Sequence, residues 1–244
     1  MTETPITLVS ILGPTAAGKT RLAACLAAEL PGEVISADSR QVYRHLDLGT
    51  GKDLADYQVD GKSIPYHLID IVDPGYEYNV YEFKRDCVAA IRDIHSRKAV
   101  PVLCGGTGLY LSAILQDYEL RSAPPDAHRR AELESMSTDQ LMVELQSRVP
   151  QHNSTDTCDR ERMIRAIEIA EAGPDAHVPA VPIDARIFGM KWDREVLRER
   201  IALRLTERLD QGMIEEVRAL LARGYTPGQL KTYGLEYRHV TEYV

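Results

Sequence analysis

Residues 6–20, ITLVSILGPTAAGKT, decide the fold of this chain. They begin with the run Ile6–Leu12, which is apolar apart from Thr7 and Ser10 and rich in β-branched residues. Such a run predicts a strand that is buried on both faces, as the strands of parallel sheets are. Residues 13–20 follow at once and match the pattern G-x-x-x-x-G-K-[ST] at every fixed position. The stretch therefore predicts a strand that leads into a phosphate-binding loop and a helix.

The loop has the chemistry that a phosphate group requires. Its glycines let backbone N–H groups turn toward a phosphate, and the following helix directs the positive end of its dipole to the same point. Lys19 adds a mobile positive charge, and the hydroxyl of Thr20 is a ligand for Mg²⁺, the cofactor that we expect. The pattern is typical of nucleotide-binding and ATP-binding proteins, but it does not identify the phosphate compound. The predicted phosphate site consists of Gly13, Pro14, Thr15, Ala16, Ala17, Gly18, Lys19 and Thr20.

Strands and helices alternate along the first half of the chain. After the loop, apolar residues at helical spacing predict a helix that packs on the sheet through Leu22, Cys25, Leu26 and Leu30. Another helix begins after Asn79, which has Glu82 at the spacing of a capping box. Short apolar runs predict further strands at residues 33–37, 66–72, 99–104 and 185–192. This order predicts an α/β fold with a P-loop-type doubly wound parallel sheet.

The pattern changes between residues 119 and 184. Strand signals are missing there, and three short helical stretches follow one another at 126–136, 137–149 and about 158–172. We therefore expect a small α-helical insertion domain at 119–184, within a P-loop core domain formed by residues 1–118 and 185–244.

The last part of the chain is predicted to be helical. Asp193 caps a long helix that carries one row of aliphatic residues and one row of arginines, Arg200, Arg204 and Arg208. A further helix covers residues 213–223 and ends at Gly224. The final stretch, Leu235–Val244, has no C-cap signal, so we expect its helix to continue.

Composition limits the class of protein. The formal net charge of −8 argues against a protein that coats nucleic acid by bulk charge, but it leaves room for a local basic patch. No apolar run approaches the ~18–20 residues of a membrane span, and the N-terminus lacks a signal peptide pattern, so we expect a cytoplasmic protein without membrane association. The cysteines contain no C-x-x-C pair, which predicts free thiols at Cys25, Cys87, Cys104 and Cys158.

Two more loops are predicted to reach the phosphate site. Asp38-Ser39-Arg40-Gln41 follows the second strand and residues 105–108, GGTG, follow the fourth, and the carboxyl ends of parallel strands lie at one edge of a sheet. Asp38 has a structural interpretation, as a cap or a partner of Arg40. It has two functional ones, as a water-mediated Mg²⁺ ligand or as a general base. Thr107 either places its hydroxyl near the phosphates or belongs to a plain tight turn.

The fourth strand ends without a carboxylate. P-loop NTPases commonly hold Mg²⁺ with an acidic residue at a strand end, but here Cys104 runs directly into Gly105. Asp70 and Asp73 are the nearest substitutes and belong to another predicted strand. The sequence therefore favours a transferase that holds a phosphate leaving group over a motor or switch ATPase.

Two basic clusters lie in the predicted insertion, His128-Arg129-Arg130 and residues 160–165, RERMIR. Clusters of this kind are usually solvated helix faces with acidic partners, for which Glu132 and Glu168 are placed. The alternative is contact with a nucleic-acid backbone. The same two interpretations remain open for the arginine row that begins at Arg200.

Five motifs, in this order, carry a family resemblance: GPTAAGKTRLA, ISADSRQVYRHLDLGTGK, HLIDIVDP, YNVYEF and PVLCGGTGLYL. Over residues 6–118 the chain resembles the tRNA dimethylallyltransferases, also called tRNA isopentenyltransferases. The resemblance implies transfer of a dimethylallyl group from dimethylallyl diphosphate to the exocyclic N6 amine of an adenosine. That adenosine lies beside the anticodon in tRNAs that read codons beginning with U. It also implies binding of the anticodon stem-loop, and we expect the protein to be a monomer.

The resemblance further implies the roles of individual residues. Residues 13–20 would bind the donor diphosphate with Mg²⁺ at Thr20, and the catalytic residues would be Asp38 as general base, Lys19 and Thr107. The tRNA-binding residues would be Asp38, Ser39, Arg40, Gln41, Thr107, Arg129, Glu161, Arg162, Met163, Ile164 and Arg165. The nearest rival is an adenylate isopentenyltransferase that acts on free AMP or ATP. More remote rivals are a P-loop small-molecule kinase and a non-catalytic nucleotide-binding module.

Overall fold

A five-stranded parallel sheet forms the core of the computed structural model, which describes residues 4–123, 126–148, 159–171 and 178–244. The strand order is β5-β2-β6-β1-β7, and the predicted α/β fold with a parallel sheet is confirmed. A short antiparallel hairpin, β3-β4, stands apart from it. The strands are β1 Ile6–Leu12, β2 Gly32–Ala37, β3 Gln58–Val59, β4 Lys62–Ser63, β5 Tyr66–His67, β6 Val100–Gly105 and β7 Ile183–Gly189.

Helices connect and follow these strands. Those of the core are α1 Lys19–Glu29, α2 Val80–Ser96, α3 Gly108–Leu115, α7 Arg194–Asp210, α8 Met213–Ala222, α9 Pro227–Leu230 and α10 Leu235–Tyr243. The capping box at the start of α2 is confirmed, with Asn79 and Glu82 each bonded to the other's backbone N–H. Asp193 occupies the N-cap of α7 but makes no side-chain capping bond. Within the described residues, no helix is both long and apolar enough to span a bilayer.

Helix α1 packs through a different face from the one predicted. Its buried side chains are Ala23, Ala24 and Ala27, whereas Leu22 and Leu30 are 44% and 38% exposed. Cys25 and Leu26 pack at the margin of the same core. The predicted stripe was therefore confirmed for Cys25 and Leu26 and wrong for Leu22 and Leu30, because three alanines let the helix backbone approach the strands more closely than leucines would.

The predicted strand at 66–72 was also too long. Only Tyr66–His67 pairs with β2, because Leu68 and Asp70 have φ angles of 62° and 56°, which no strand adopts. The chain then turns toward residues 41–43, where Ile71 donates a backbone hydrogen bond to Val42 at 2.8 Å. The turn places Asp70 beside the buried Lys52.

The chain divides into two compact units, Met1–Tyr118 with Ala180–Val244, and Glu119–Pro179. The second is helical, with α4 Ala127–Ser135, α5 Thr138–Arg148 and α6 Arg160–Glu171. The capping box of Ser137 and Gln140 is present at the start of α5. Its core contains Leu133, Leu141, Leu145, Met163, Ile164 and Ile167. Residues 149 and 158, at the ends of two predicted helical stretches, lie outside the described residues.

Of the cysteines, Cys87 and Cys104 are buried free thiols and Cys25 is a half-buried one. Cys158 lies outside the described residues.

Candidate active site

Three loops meet at the carboxyl edge of the sheet because three strands end at the same level. Gly105 at the end of β6 pairs with Leu12 of β1 on one side and with Ala37 of β2 on the other. The segments that follow these strands, residues 13–20, 38–41 and 106–108, therefore start side by side. Residues of the first two segments and Gly105 line a cavity of about 410 Å³, whereas Thr107 is not among its lining residues. Its lining from the phosphate loop is Thr15, Ala16, Ala17, Gly18, Lys19 and Thr20.

Lys19 lies against its own loop. Its Nζ donates to the carbonyl of Pro14 at 2.7 Å, which curls the loop around the ammonium group. Burial lowers the pKa of Lys19, and the neighbouring Cys104 and Asp38 oppose this effect only in part. Lys19 is thus a desolvated donor at the wall of the cavity, where a single charge acts more strongly than in water.

Asp38 combines its structural and its functional interpretations. Its Oδ1 accepts backbone hydrogen bonds from Arg40 at 2.9 Å and Gln41 at 3.4 Å, so the carboxylate does cap the following turn. Within the described part of the chain its Oδ2 accepts no hydrogen bond, and the side chain lines the cavity. The cap therefore fixes the direction of the carboxylate and leaves one oxygen to accept a proton.

Thr107 ties two of the loops together. Its hydroxyl oxygen accepts from the backbone N–H of Ser39 at 3.0 Å, and its own N–H donates to the carbonyl of Ala37 at 3.2 Å. Thr107 also occupies the N-cap of α3 without capping it through its side chain. The sequence left open whether Thr107 contacts a phosphate or belongs to a plain turn. The structure shows another arrangement, in which the hydroxyl of Thr107 positions the loop that carries Asp38.

Gln41 is the other lining residue of that loop. Its Oε1 accepts from Ser36 at 3.0 Å and its Nε2 donates to the carbonyl of Gly51 at 3.1 Å. Both ends of the amide are therefore fixed. Ser39 and Arg40 are not part of the cavity lining, and Arg40 is exposed.

Two residues of the C-terminal third clamp the phosphate loop, and the sequence analysis assigned no such role to them. Trp192 Nε1 donates to the carbonyl of Ala17 at 3.0 Å, and Arg200 Nε donates to the carbonyl of Ala16 at 2.7 Å. Arg200 also lies 4.9 Å above the Trp192 ring. Ala16 has a φ of 59°, so these contacts support a strained backbone.

The rest of the arginine row faces the same cavity. Arg204 Nη2 donates to the carbonyl of Gly51 at 3.2 Å and pairs with Asp53 at 2.8 Å. Burial, together with the neighbouring Arg204, lowers the pKa of Arg208. Burial and the nearby Asp53 raise the pKa of Asp56. The row could not be assigned from sequence, and the structure places it on the cavity wall with Arg200, Arg204 and Arg208 among the lining residues.

The two substitutes considered for a metal-binding carboxylate lie elsewhere. Asp70 pairs with the buried Lys52, and Asp73 pairs with Arg44 at 3.2 Å. Within the described ranges, no group of three or more His, Cys, Asp or Glu residues is arranged to hold a metal ion. Oxygen donors at the phosphate loop come from Thr20, Ser36 and Asp38, which line the cavity together.

In the helical unit, the candidate tRNA contacts are of two kinds. The side chains of Met163 and Ile164 are 1% and 4% exposed and belong to the core of the unit, so the prediction that they contact tRNA was wrong for these side chains. The apolar residues of α6 recur at helical spacing, which directs the side chains of Met163 and Ile164 into this core. Glu161 and Arg162 are exposed, and Arg165 pairs with Glu168 at 3.0 Å.

Arg129 is held by acidic residues from all three helices of the unit. It pairs with Glu132 at 2.9 Å, with Glu144 at 2.7 Å and with Glu171 at 2.7 Å. Its side chain is 22% exposed. The expectation that Glu132 and Glu168 pair with the basic clusters is confirmed for Arg129, Arg130 and Arg165.

Comparison with known proteins identifies the family of this chain. A family model described as IPP transferase matches residues 41–244. A tRNA dimethylallyltransferase 2 of Bacteroides fragilis is 51% identical over 251 residues, which cover 100% of this chain and 80% of that protein. The chain belongs to the tRNA dimethylallyltransferase family. A tRNA dimethylallyltransferase 1 of Parabacteroides distasonis is 50% identical over 97% of this chain and 78% of its own length.

Solved structures of the family share the fold. The full-length tRNA isopentenylpyrophosphate transferase of Bacillus halodurans has a TM-score of 0.67 and 35% identity, and the match covers 97% of this chain and 77% of that one. A eukaryotic dimethylallyltransferase acting on tRNA has a TM-score of 0.73 at 23% identity, which shows likeness of fold. Family membership thus rests on the matched sequence, and the P-loop-type fold on both comparisons.

Proposed function

We propose that this protein transfers a dimethylallyl group from dimethylallyl diphosphate to the N6 amine of the adenosine next to the anticodon, in tRNAs that read codons beginning with U, and releases diphosphate. One observation carries the proposal. Residues 15–20 of the phosphate loop share one cavity with Asp38, whose Oδ2 accepts no hydrogen bond from the described residues, and no carboxylate directly follows β6 in the sequence. Membership of the tRNA dimethylallyltransferase family supports it.

The phosphate loop suits a departing diphosphate. As the allylic C–O bond breaks, negative charge develops on the diphosphate oxygens. Preorganised N–H donors and cations stabilise such charge without further reorganisation. Here the donors are the amides of the loop and of the first turn of α1, together with Lys19. Trp192 and Arg200 hold the loop in shape by binding its carbonyls.

The other wall of the cavity suits the acceptor. An aromatic amine is a weak nucleophile, so its attack is assisted by a base that takes the proton as the C–N bond forms. Asp38 is oriented for this role by its bonds to the backbone of the next turn. Gln41 offers a fixed amide at the same wall for the edge of the base. Because the adenosine has to enter a cavity, it leaves its stack in the anticodon loop.

The residues present fit Mg²⁺. The hydroxyls of Thr20 and Ser36 and the carboxylate of Asp38 offer only oxygen, which Mg²⁺ prefers, and few protein ligands are the rule where phosphates and waters complete its shell. Thr20 would be the direct ligand. When bound, the ion would neutralise part of the charge on the diphosphate. We also propose that the protein is a cytoplasmic monomer.

The test uses labelled dimethylallyl diphosphate with two acceptors, an anticodon stem-loop with an adenosine beside the anticodon, and AMP. We expect label on the N6 of the stem-loop adenosine, with release of pyrophosphate. Label on AMP alone would mean an adenylate isopentenyltransferase. No transfer, together with ADP formation from ATP, would mean a kinase. If neither transfer nor ADP formation is observed, the result would support a non-catalytic nucleotide-binding module.

A further inference from the structure

Glu216 fixes one end of the loop formed by residues 47–52. Its carboxylate accepts backbone hydrogen bonds from Asp47 at 3.2 Å, Leu48 at 2.9 Å and Gly49 at 3.4 Å. Glu216 is in the first turn of α8, far from the loop in sequence. Hydrogen bonds to a charged acceptor are about twice as strong as neutral ones. A single side chain thus holds three consecutive amides.

Tyr237 of α10 completes this contact. Its hydroxyl donates to Glu216 Oε1 at 2.5 Å, and the side chain is fully buried. The ring lies directly over Gly49, since a Cβ there would come within 2.5 Å of Tyr237 Cε2. Burial raises the pKa of Tyr237, so the hydroxyl remains a proton donor throughout the neutral range.

Lys52 fixes the other end of the loop. Its buried Nζ donates to the carbonyl of Tyr43 at 2.5 Å and pairs with Asp47 at 2.9 Å and with Asp70. Because both ends are held, the peptide between them has a defined position.

That peptide bears on the proposed site. The carbonyl of Gly51 accepts hydrogen bonds from Gln41 Nε2 at 3.1 Å and from Arg204 Nη2 at 3.2 Å. Gly51 has a φ of 70°, and a Cβ there would collide with the guanidinium nitrogens of Arg204 and Arg208. Gly51, Gln41 and Arg204 all line the cavity. The position of one carbonyl therefore sets both the amide on the acceptor wall and an arginine beside the phosphate loop.

We propose that Glu216 is a positioning residue for the transfer reaction, and that it acts through the 47–52 loop and the Gly51 carbonyl on Gln41 and Arg204. The inference rests on the proposed function. Glu216 is not itself among the residues that line the cavity, so its effect has to pass through the loop. A shift of about 1 Å at a reacting group can lower a rate by about 10²-fold.

The variant Glu216→Gln tests this, with Glu215→Gln as its matched control. Glutamine keeps the size of the side chain but turns one acceptor oxygen into an NH₂ group that faces N–H or O–H donors. Glu215 is adjacent on α8 and exposed, and among the described residues it pairs only with Arg218, at 3.4 Å. We expect kcat/KM for the stem-loop to fall by about 10-fold to 10²-fold in Glu216→Gln and to stay unchanged in Glu215→Gln.

Two further readouts separate positioning from a general loss of structure. Hydrogen exchange at the amides of residues 47–49 is expected to accelerate in Glu216→Gln, while circular dichroism shows folded protein at the assay temperature. The losses caused by Glu216→Gln and Gln41→Ala are expected to be non-additive, because both act through Gly51. The proposal would be overturned if the loss in kcat/KM of the double variant equalled the product of the two single losses. A wild-type rate in folded Glu216→Gln would also overturn it.

If Glu216→Gln does not fold, Tyr237→Phe takes its place. It removes one of the four donors to the carboxylate and is expected to lower kcat/KM by about threefold, again non-additively with Gln41→Ala. An unchanged rate in that variant contradicts the inference. A wild-type protein that transfers nothing to the stem-loop refutes the proposed function instead, and hydrogen exchange at 47–49 still reports separately whether Glu216 holds the loop.

Discussion

Arg200 of the core unit and Arg129 of the helical unit have opposite kinds of partner. Arg200 donates to the backbone carbonyl of Ala16 beside the proposed site and has no carboxylate partner among the described residues, while Arg204 binds both the Gly51 carbonyl and Asp53. In the helical unit, Arg129 is surrounded by carboxylates from three helices. Carbonyl partners leave an arginine its net positive charge, whereas carboxylate partners cancel it. The location of arginines in a sequence therefore says less about phosphate binding than the nature of their partners does.

This difference in partners suggests that the arginines of the two units have different roles, one in catalysis and one in stability. We infer that the cations of the core act on the charge of a substrate, and that Arg129 mainly holds three short helices together. Removing a core cation should therefore affect catalysis in a folded protein. Removing Arg129 should affect stability, with catalysis by the folded fraction unchanged.

The largest effect is expected for Lys19→Met. In the proposed reaction the partly desolvated ammonium group would face the developing charge of the leaving group, and loss of one such group costs about 10²–10³ in rate. We expect kcat/KM for dimethylallyl diphosphate to fall by that factor. Lys62→Met, at an exposed position on β4, is the control and should behave as wild type. A similar loss in both variants would contradict a specific role for Lys19.

Lys19 also gives a pH dependence. Because its pKa is lowered from 10.5, the charged form is lost at a lower pH than for an ordinary lysine. Binding of inorganic pyrophosphate, measured by calorimetry, should weaken as the pH rises toward that lowered pKa in the wild type. In Lys19→Met this weakening should be absent, and its persistence there would assign the pH dependence to another group.

A smaller effect is expected for Arg200→Gln. The variant loses the charge-assisted bond to the Ala16 carbonyl and the contact with Trp192, so the phosphate loop is held less firmly. We expect a fall of about 10-fold in kcat/KM for the donor, in line with about 1.5–3 kcal/mol for a hydrogen bond to a charged group. Arg198→Gln, on the same helix and paired only with Glu195 in the described chain, is the matched control. Equal activity of the two variants would contradict a role of Arg200 in catalysis.

For Arg129→Gln we expect a loss of stability. Three carboxylates lose their shared partner, which should lower the free energy of unfolding of the helical unit by about 1–2 kcal/mol, as for a network of partly exposed ion pairs. Thermal melting and hydrogen exchange of α4–α6 measure it. Arg162→Gln, at an exposed position, should leave stability unchanged and reduce the salt dependence of tRNA binding by about one counterion if Arg162 contacts a phosphate. A stable Arg129→Gln protein with weakened tRNA binding would reverse our assignment.

The smallest effect concerns acid stability. The hydrogen bonds of Arg129 hold the pKa of Glu171 below its ordinary value of 4.5. The stability that this pairing contributes is therefore present above about pH 4.5 and is lost as the pH falls through the lowered pKa. Denaturation of the helical unit, followed by hydrogen exchange against pH, should show a shallower acid slope in Glu171→Gln than in the wild type. Parallel slopes would show that Glu171 does not contribute to the acid dependence of stability.

Local patterns in the sequence predicted the parts of the site that lie close together along the chain. The strand, phosphate loop and helix of residues 6–29 and the capping box of Asn79 depend on neighbouring residues, and both are present. Convergence of the loops after β1, β2 and β6 followed from the parallel order of the strands. Each of these features follows from backbone geometry.

Features that depend on distant partners could not be predicted. Trp192 and Arg200 contact the phosphate loop from more than half the chain away. No local pattern in either segment predicts that the two segments meet. The stripe predicted for α1 was wrong for Leu22 and Leu30, because helical spacing alone does not distinguish a leucine face from an alanine face. Met163 and Ile164 were misassigned because a motif was carried over whole, although helical periodicity turns two of its side chains into the core.

The central claim is that the phosphate loop binds the donor and that Asp38 acts on the acceptor at the same cavity. The most direct test measures two quantities in Asp38→Ala, the Kd for dimethylallyl diphosphate and the single-turnover rate of transfer to an anticodon stem-loop. We expect a Kd close to the wild-type value and a rate lower by about 10² or more, the contribution of a general base. An unchanged rate, or a rate lost only because the donor no longer binds, would contradict it.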